Sequence, residues 1–118
     1  MRKKQKGNRI FQIAYDEPLL ITRAELLRSR GYEVHSAFGN NEAQRVLDKG
    51  EGYDLFIVGH AASKGTREAM VMWLKSRFPD TKILALNPLD DMKLPGADYN
   101  LILNGPEEWL AVVATVAP

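Results

Sequence analysis

The spacing of apolar positions alternates along the chain between runs of period two and stripes of period 3.6. Residues 55–58, Leu-Phe-Ile-Val, form an unbroken apolar run ending in a β-branched pair, with Gly50, Gly52 and Gly59 around it. A short run of this kind, bounded by turn residues, predicts a strand buried on both faces, as in the middle of a parallel sheet. In open α/β sheets the working site lies beyond the carboxyl ends of such strands, which here means Gly59 and His60. Residues 9–15 predict a first strand, broken by the polar turn Asp16-Glu17. Pro18 suits the first turn of a helix, where its missing N–H costs nothing. Leu20, Ala24 and Leu27 then recur at helical spacing, Ile21 and Leu26 widen the stripe, and Gly31 closes it.

The remaining elements follow in the same way. Residues 32–38 alternate and predict a second strand; Gly39-Asn40-Asn41 reads as a turn with an N-cap candidate. Ala43, Val46 and Leu47 mark a short helix stopped at Gly50. Ser63 or Thr66 can cap a third helix running to about residue 78, and residues 82–86 and 98–103 predict the fourth and fifth strands. Residues 87–96 hold two prolines and the pair Asp90-Asp91, which predicts irregular structure. Gly105-Pro106-Glu107-Glu108 opens a last helix with Trp109, Leu110, Val113 and Val116 apolar. Strands alternating with helices imply βαβ units, right-handed crossovers and a doubly wound parallel sheet.

Composition narrows the chemistry more than the fold. The 118 residues fit one domain with one core. No cysteine is present, so disulfides, thiolate metal sites and cysteine nucleophiles are excluded. No apolar run approaches the roughly 18 residues that span a bilayer, and no signal-peptide pattern follows the basic start; no membrane association and a cytoplasmic location are expected. The net charge of +1 hides an asymmetry: Arg2, Lys3, Lys4, Lys6 and Arg9 give the first nine residues +5, leaving 11 basic and 15 acidic residues, or −4, in the remainder. Residues 1–8 are expected to be a disordered basic tail on a domain of residues 9–118. The tail either solubilises the chain or makes weak contact with nucleic acid or an anionic membrane surface; no nucleic-acid binding is expected of the mildly acidic body.

Taken in order, several short stretches resemble the response-regulator receiver domain family of two-component signalling. Asp16-Glu17-Pro18-Leu19-Leu20 resembles the family's acidic turn and first helix, Gly31-Tyr32-Glu33-Val34 with Ala37 its second strand, and Glu42-Ala43 with Leu47 its second helix. Residues 53–58 resemble the third strand; Phe78-Pro79-Asp80-Thr81-Lys82-Ile83 and Gly96-Ala97-Asp98-Tyr99 resemble the approaches to the fourth and fifth. The resemblance covers residues 9–117. It implies five parallel strands in the order 2-1-3-4-5, a flavodoxin-like arrangement. It also implies phosphoryl transfer to an aspartate ending the third strand, with Mg²⁺ held by that aspartate and an acidic pair after the first strand. A hydroxyl ending strand four and a lysine ending strand five complete such a site.

The departures from that pattern fall on the chemistry. The phosphoacceptor position is Gly59, which supplies neither nucleophile nor metal ligand. The acidic pair becomes Tyr15 and Asp16, the hydroxyl position is Asn87, and the lysine position falls on Ile102 or Leu103. Asp16, even helped by Glu17, is a weak Mg²⁺ ligand set, since the ion demands octahedral oxygen coordination. The resemblance thus implies a degenerate pseudo-receiver with no catalytic residue, acting through protein–protein interaction that needs no phosphorylation. Two alternatives stay open: a working receiver whose acceptor lies elsewhere, with Asp16 or Asp54 as the nearest carboxylates, and a small enzyme of similar fold using His60. Residues 87–96 are also too few for the family's fourth helix, which should be shortened or missing.

Three features carry paired readings. His60 is either an acid/base, metal-binding or phosphorylated residue, or a loop histidine facing solvent; His35, inside the second strand, is a surface or packing residue. Residues 59–66, Gly-His-Ala-Ala-Ser-Lys-Gly-Thr, superficially resemble a phosphate-binding loop, but lysine and glycine are exchanged relative to the Walker pattern. Residues 69–74 are six apolar residues in a row and go all round a helix. They either tuck between neighbours or expose a partner or self-association surface including Met70, Val71 or Met72, with Trp109 as a second candidate.

Overall fold

The computed structural model describes residues 9–50 and 52–118; the basic stretch 1–8, and with it the expectation of a disordered tail, lies outside the described residues. The elements run β1 (Arg9–Ala14), α1 (Glu17–Ser29), β2 (Glu33–Phe38), α2 (Gly39–Leu47), β3 (Leu55–Val58), α3 (Lys64–Arg77), β4 (Lys82–Asn87), a 3₁₀ turn (Asp90–Met92), β5 (Tyr99–Ile102) and α4 (Pro106–Val116). All strands pair in parallel, in the order β2-β1-β3-β4-β5. This is the expected doubly wound order.

Pleating divides the core into two layers, because successive strand residues face opposite sides. Ile10, Leu55, Ile57, Leu84 and Leu86 meet Ala24 and Leu27 of α1 and Leu110 and Val113 of α4. Phe11, Phe56, Val58, Ile83 and Ala85 meet Ala43 and Leu47 of α2 and Met70 and Leu74 of α3. All four residues of β3 are buried, as its unbroken apolar run requires.

The helix starts explain the local sequence. Asp16 caps α1: its carboxylate accepts from the Leu19 N–H at 3.1 Å, and Pro18 occupies the first turn. Between Ser63 and Thr66, the serine is the cap of α3, its hydroxyl accepting from the Thr66 N–H at 3.2 Å. The expected turn at Gly39-Asn40-Asn41 is instead the first turn of α2. Gly39 takes a left-handed φ of 84°, which glycine adopts without steric cost. Glu42 reaches back to accept from the Phe38 N–H at 3.0 Å, so the helix begins without an asparagine cap.

Between β4 and β5 the chain has a single 3₁₀ turn where the fourth helix was expected to be shortened or missing. Leu94 is fully buried and fills part of the α2/α3 layer in its place. Asn100 clips this segment down: its carboxamide donates to the Leu94 carbonyl and accepts from the Leu94 N–H, both at 2.9 Å.

Three of the four candidates for an interaction surface lie in the core, as the alternative packed reading had it. Arg67, Met70, Val71 and Leu74 are one turn apart on the sheet-facing side of α3, so Met70 and Val71 are buried. Trp109 is only 4 % exposed, packed into the α1/α4 layer. Of the four candidates Met72 alone is open, 70 % exposed on the outer side of α3.

Candidate functional site

The parallel sheet brings most of the expected site residues to one edge. β1 and β3 run in register from Ile10↔Leu55 to Ile13↔Val58, and the Gly59 N–H continues the ladder by donating to the Ile13 carbonyl at 2.9 Å. Tyr15 and Asp16 therefore leave β1 beside Gly59 and His60. β4 ends at Asn87 opposite Ile102 of β5. Ile102 and Leu103 bring no cation to this edge. Glu17 is exposed at the start of α1 and has no hydrogen bond to the group.

Two arginines that the strand-end pattern did not single out occupy the centre. Arg67, in the first turn of α3, is 0 % exposed. Its Nε–H donates to the Gly59 carbonyl at 2.8 Å, and Nη2 donates to the Leu86 carbonyl at 2.8 Å and to Asn87 Oδ1 at 2.7 Å. Nη1 donates to the Met92 carbonyl at 3.2 Å. One guanidinium thus ties the ends of β3 and β4 to the 3₁₀ turn. Asn87 extends the network, its Nδ2 donating to Asn100 Oδ1 and to the Leu101 carbonyl, both at 3.1 Å.

Arg23 projects from α1 over Gly59 and is 5 % exposed. A Cβ placed on Gly59 would lie 2.9 Å from Arg23 Nη1 and 3.3 Å from the Ile13 carbonyl oxygen. The guanidinium therefore uses space that only glycine leaves open. Arg23 Nη2 lies 3.1 Å from His60 Nδ1. Arginine can only donate, so Nδ1 accepts and the ring proton sits on Nε2. His60 is thereby neither simply solvent-facing nor a free acid/base.

The electrostatics follow from these placements. Burial lowers the pKa of both guanidiniums from the ordinary arginine value, and for Arg23 the charge of Asp16 acts in the opposite direction. His60 is held below the usual imidazole range by burial, then by Arg23 and Arg67, with Asp16 opposing. The Tyr15 phenol is pushed up to about 12, chiefly by burial, against the pull of Arg67. It stays neutral and donates to Asn40 Oδ1 at 2.7 Å.

This edge does not fit Mg²⁺. Asp16 is the nearby carboxylate and is committed to capping α1, while two guanidiniums repel a divalent cation. Among the described residues no group of three or more His, Cys, Asp or Glu side chains could hold a metal ion. No described helix is long and apolar enough to cross a membrane.

Both arginines were readable as anomalies. Arg67 opens the stripe 67-70-71-74, and Arg23 stands inside the stripe 20-23-24-27. A charge at a core position of an amphipathic helix signals a buried partner set.

No protein-family model and no curated protein matches the sequence. Solved structures do match its shape. The response regulator protein TrrA from Thermotoga maritima, solved with Mg²⁺-BeF, superimposes with a TM-score of 0.78 at 20 % identity, covering 92 % of this chain and 96 % of that one. A CheY-like receiver domain from Methylobacillus flagellatus gives a TM-score of 0.80 at 14 % identity, over 94 % and 98 % of the two chains. TrrA in complex with the histidine kinase ThkA matches at 0.78 and 20 % identity, over 94 % of this chain and 99 % of that one. The chain has the fold of response-regulator receiver domains.

Proposed function

We propose that this chain is a receiver-fold signalling domain of a two-component system that takes no phosphoryl group and acts by binding another protein. The observation that carries the reading is the pair of buried guanidiniums at the sheet edge, where the receiver resemblance implies acidic chemistry. Receiver phosphorylation needs a carboxylate nucleophile and a divalent cation beside it. Here Gly59 offers no nucleophile, Arg23 Nη1 stands 2.9 Å from where its Cβ would be, and Arg67 holds Gly59, Leu86 and Asn87 together. A tethered cation occupies the region that a mobile ion and a phosphoryl group would need. That TrrA was solved with a histidine kinase supports a protein partner for a domain of this shape.

The two alternatives gain less support. Asp54 lies at the amino edge of the sheet, its carboxylate accepting from the Arg9 N–H at 2.9 Å, at the opposite end of β3 from Gly59 and His60. A His60-dependent enzyme would need an acceptor nitrogen free for substrate, and Nδ1 is taken by Arg23.

The deciding experiment is an amide NMR titration with Mg²⁺, then with Mg²⁺ plus beryllofluoride, an acyl-phosphate mimic. The expected result is no saturable shift at Asp16, Gly59 or Asn87. Saturable shifts there would overturn the reading and make the domain a phosphorylation switch.

A further inference from the structure

A second feature at the same edge points to a ligand rather than to a lost reaction. A cavity of about 270 Å³ opens between α1 and the connection from β5 to α4. Its walls are apolar: Leu19 and Leu26 on one side, Leu103, Pro106 and Trp109 on the other. Arg23 and His60 line it as well. Arg23 has one hydrogen-bond partner among the described residues, His60 Nδ1. Its Nε–H and Nη1–H have no acceptor, yet no buried side-chain nitrogen or oxygen among the described residues lacks a partner. Those N–H groups are therefore not sealed off from solvent. His60, protonated on Nε2, adds a neutral donor.

The charge balance selects the kind of anion. Arg67 is fully buried and bonded to four protein acceptors, so it contributes field but no free donor. Asp16 offsets part of the remaining positive charge. A monoanion is matched by what is left; a dianion is not. The apolar walls favour a compact hydrocarbon body over a fully hydrated ion. We infer that this cavity binds a monocarboxylate bearing a compact apolar body, its oxygens on the Arg23 guanidinium and its body against Leu103 and Trp109. This goes beyond the proposed signalling role and holds whether or not the domain takes a phosphoryl group.

The test is an amide NMR titration of the full chain with phenylacetate, with acetate and inorganic phosphate as comparison probes. Phenylacetate should give saturable shifts at Arg23, His60 and residues 103–110, and bind roughly tenfold tighter than acetate because of the buried ring. Arg23→Gln should weaken it roughly tenfold or more by removing a charge-assisted bond. Should Arg23→Gln fail to fold, Thr22→Phe decides, since it fills the cavity from an exposed rim position and leaves Arg23 in place; it should abolish the shifts. The inference is overturned by absent or non-saturable shifts, by binding unchanged in these variants, or by phosphate binding as tightly as phenylacetate.

Discussion

Arg67→Met isolates what the buried guanidinium contributes. Methionine nearly matches its length and keeps the apolar stem, so the change removes donors without opening a large cavity. It leaves the Gly59 carbonyl, the Leu86 carbonyl and Asn87 Oδ1 enclosed without their donor, and the Met92 carbonyl half-covered. Each enclosed acceptor left unpaired costs about 1–3 kcal/mol. Against this, the variant no longer buries a charge, and desolvating an ion costs several kcal/mol. The acceptors are mostly backbone and remain when the arginine goes, which is the case in which removing one partner destabilises. A net loss of about 3 kcal/mol is expected. At roughly 2.1 cal/mol/K of unfolding entropy per residue over 118 residues, that lowers Tm by about 12 °C. Circular-dichroism melts and urea midpoints measure it. Arg67→Lys keeps the charge but not the fork that spans three chain segments, so it should recover only part of the loss. A melting point for Arg67→Met within about 2 °C of the parent, or above it, would refute the reasoning, because ion burial would then outweigh the four bonds. Full recovery by lysine would refute it differently, by showing that charge and not geometry matters.

Three further outcomes follow from the same geometry. Gly59→Asp should push the flexible tip of Arg23 aside and pair with it, at a cost of about 1–2 kcal/mol from crowding the Ile13 carbonyl. Intact-mass measurement after incubation with acetyl phosphate and Mg²⁺ should find no phosphoryl adduct, and an adduct would show that the guanidiniums do not block the chemistry. Because the folded chain holds the His60 pKa below its ordinary value, the unfolded chain binds that proton more readily. Stability should therefore be full above the imidazole range near about pH 6.5 and fall as pH drops through it towards the lower folded pKa. Urea midpoints across that range should slope upward with pH and flatten in His60→Gln; parallel slopes in the two proteins would sink this assignment. Asn100→Ala should release the clip on Leu94 and speed hydrogen exchange of the Leu94 amide roughly tenfold, and unchanged protection would show that burial alone holds the segment.

The fold was legible because its signals are local and repeated. Residues 55–58 read as a doubly buried strand, and all four are buried. Pro18 and the Ser63/Thr66 pair mark helix starts by chemistry that acts within one turn. Reading failed where tertiary contact overrides the local preference. Asn40 looks like a cap, yet its side chain joins the Tyr15 hydroxyl to the Thr66 carbonyl, contacts 25 and 26 residues apart in sequence. Residues 69–74 left a tucked and an exposed reading open, because a run of apolar residues does not announce which of its sides meets the sheet; Met70 and Val71 follow the first.

The site was half legible for a related reason. Strand ends are easy to find, so Gly59 and Asn87 were located, and their lack of acidic and hydroxyl chemistry was plain. What fills the gap comes from helix faces, and only the fold brings Arg23 and Arg67 to those strand ends. Under the proposed reading, a glycine at 59 taken alone stands for a missing nucleophile. Beside Arg23 Nη1, 2.9 Å from where its Cβ would be, it becomes a steric requirement of the arginine. The two observations then have one cause: a side chain at 59 and a guanidinium at 23 compete for the same space. Under the proposed reading this sets how the domain signals. A metal ion and a phosphoryl group can leave, so a site built on them has two states. A guanidinium fixed to α3 by its own backbone, and bonded to both β3 and β4, cannot leave without local unfolding. Its partner surface is then presented continuously, and control must come from what binds the domain or from what enters the cavity beside Arg23.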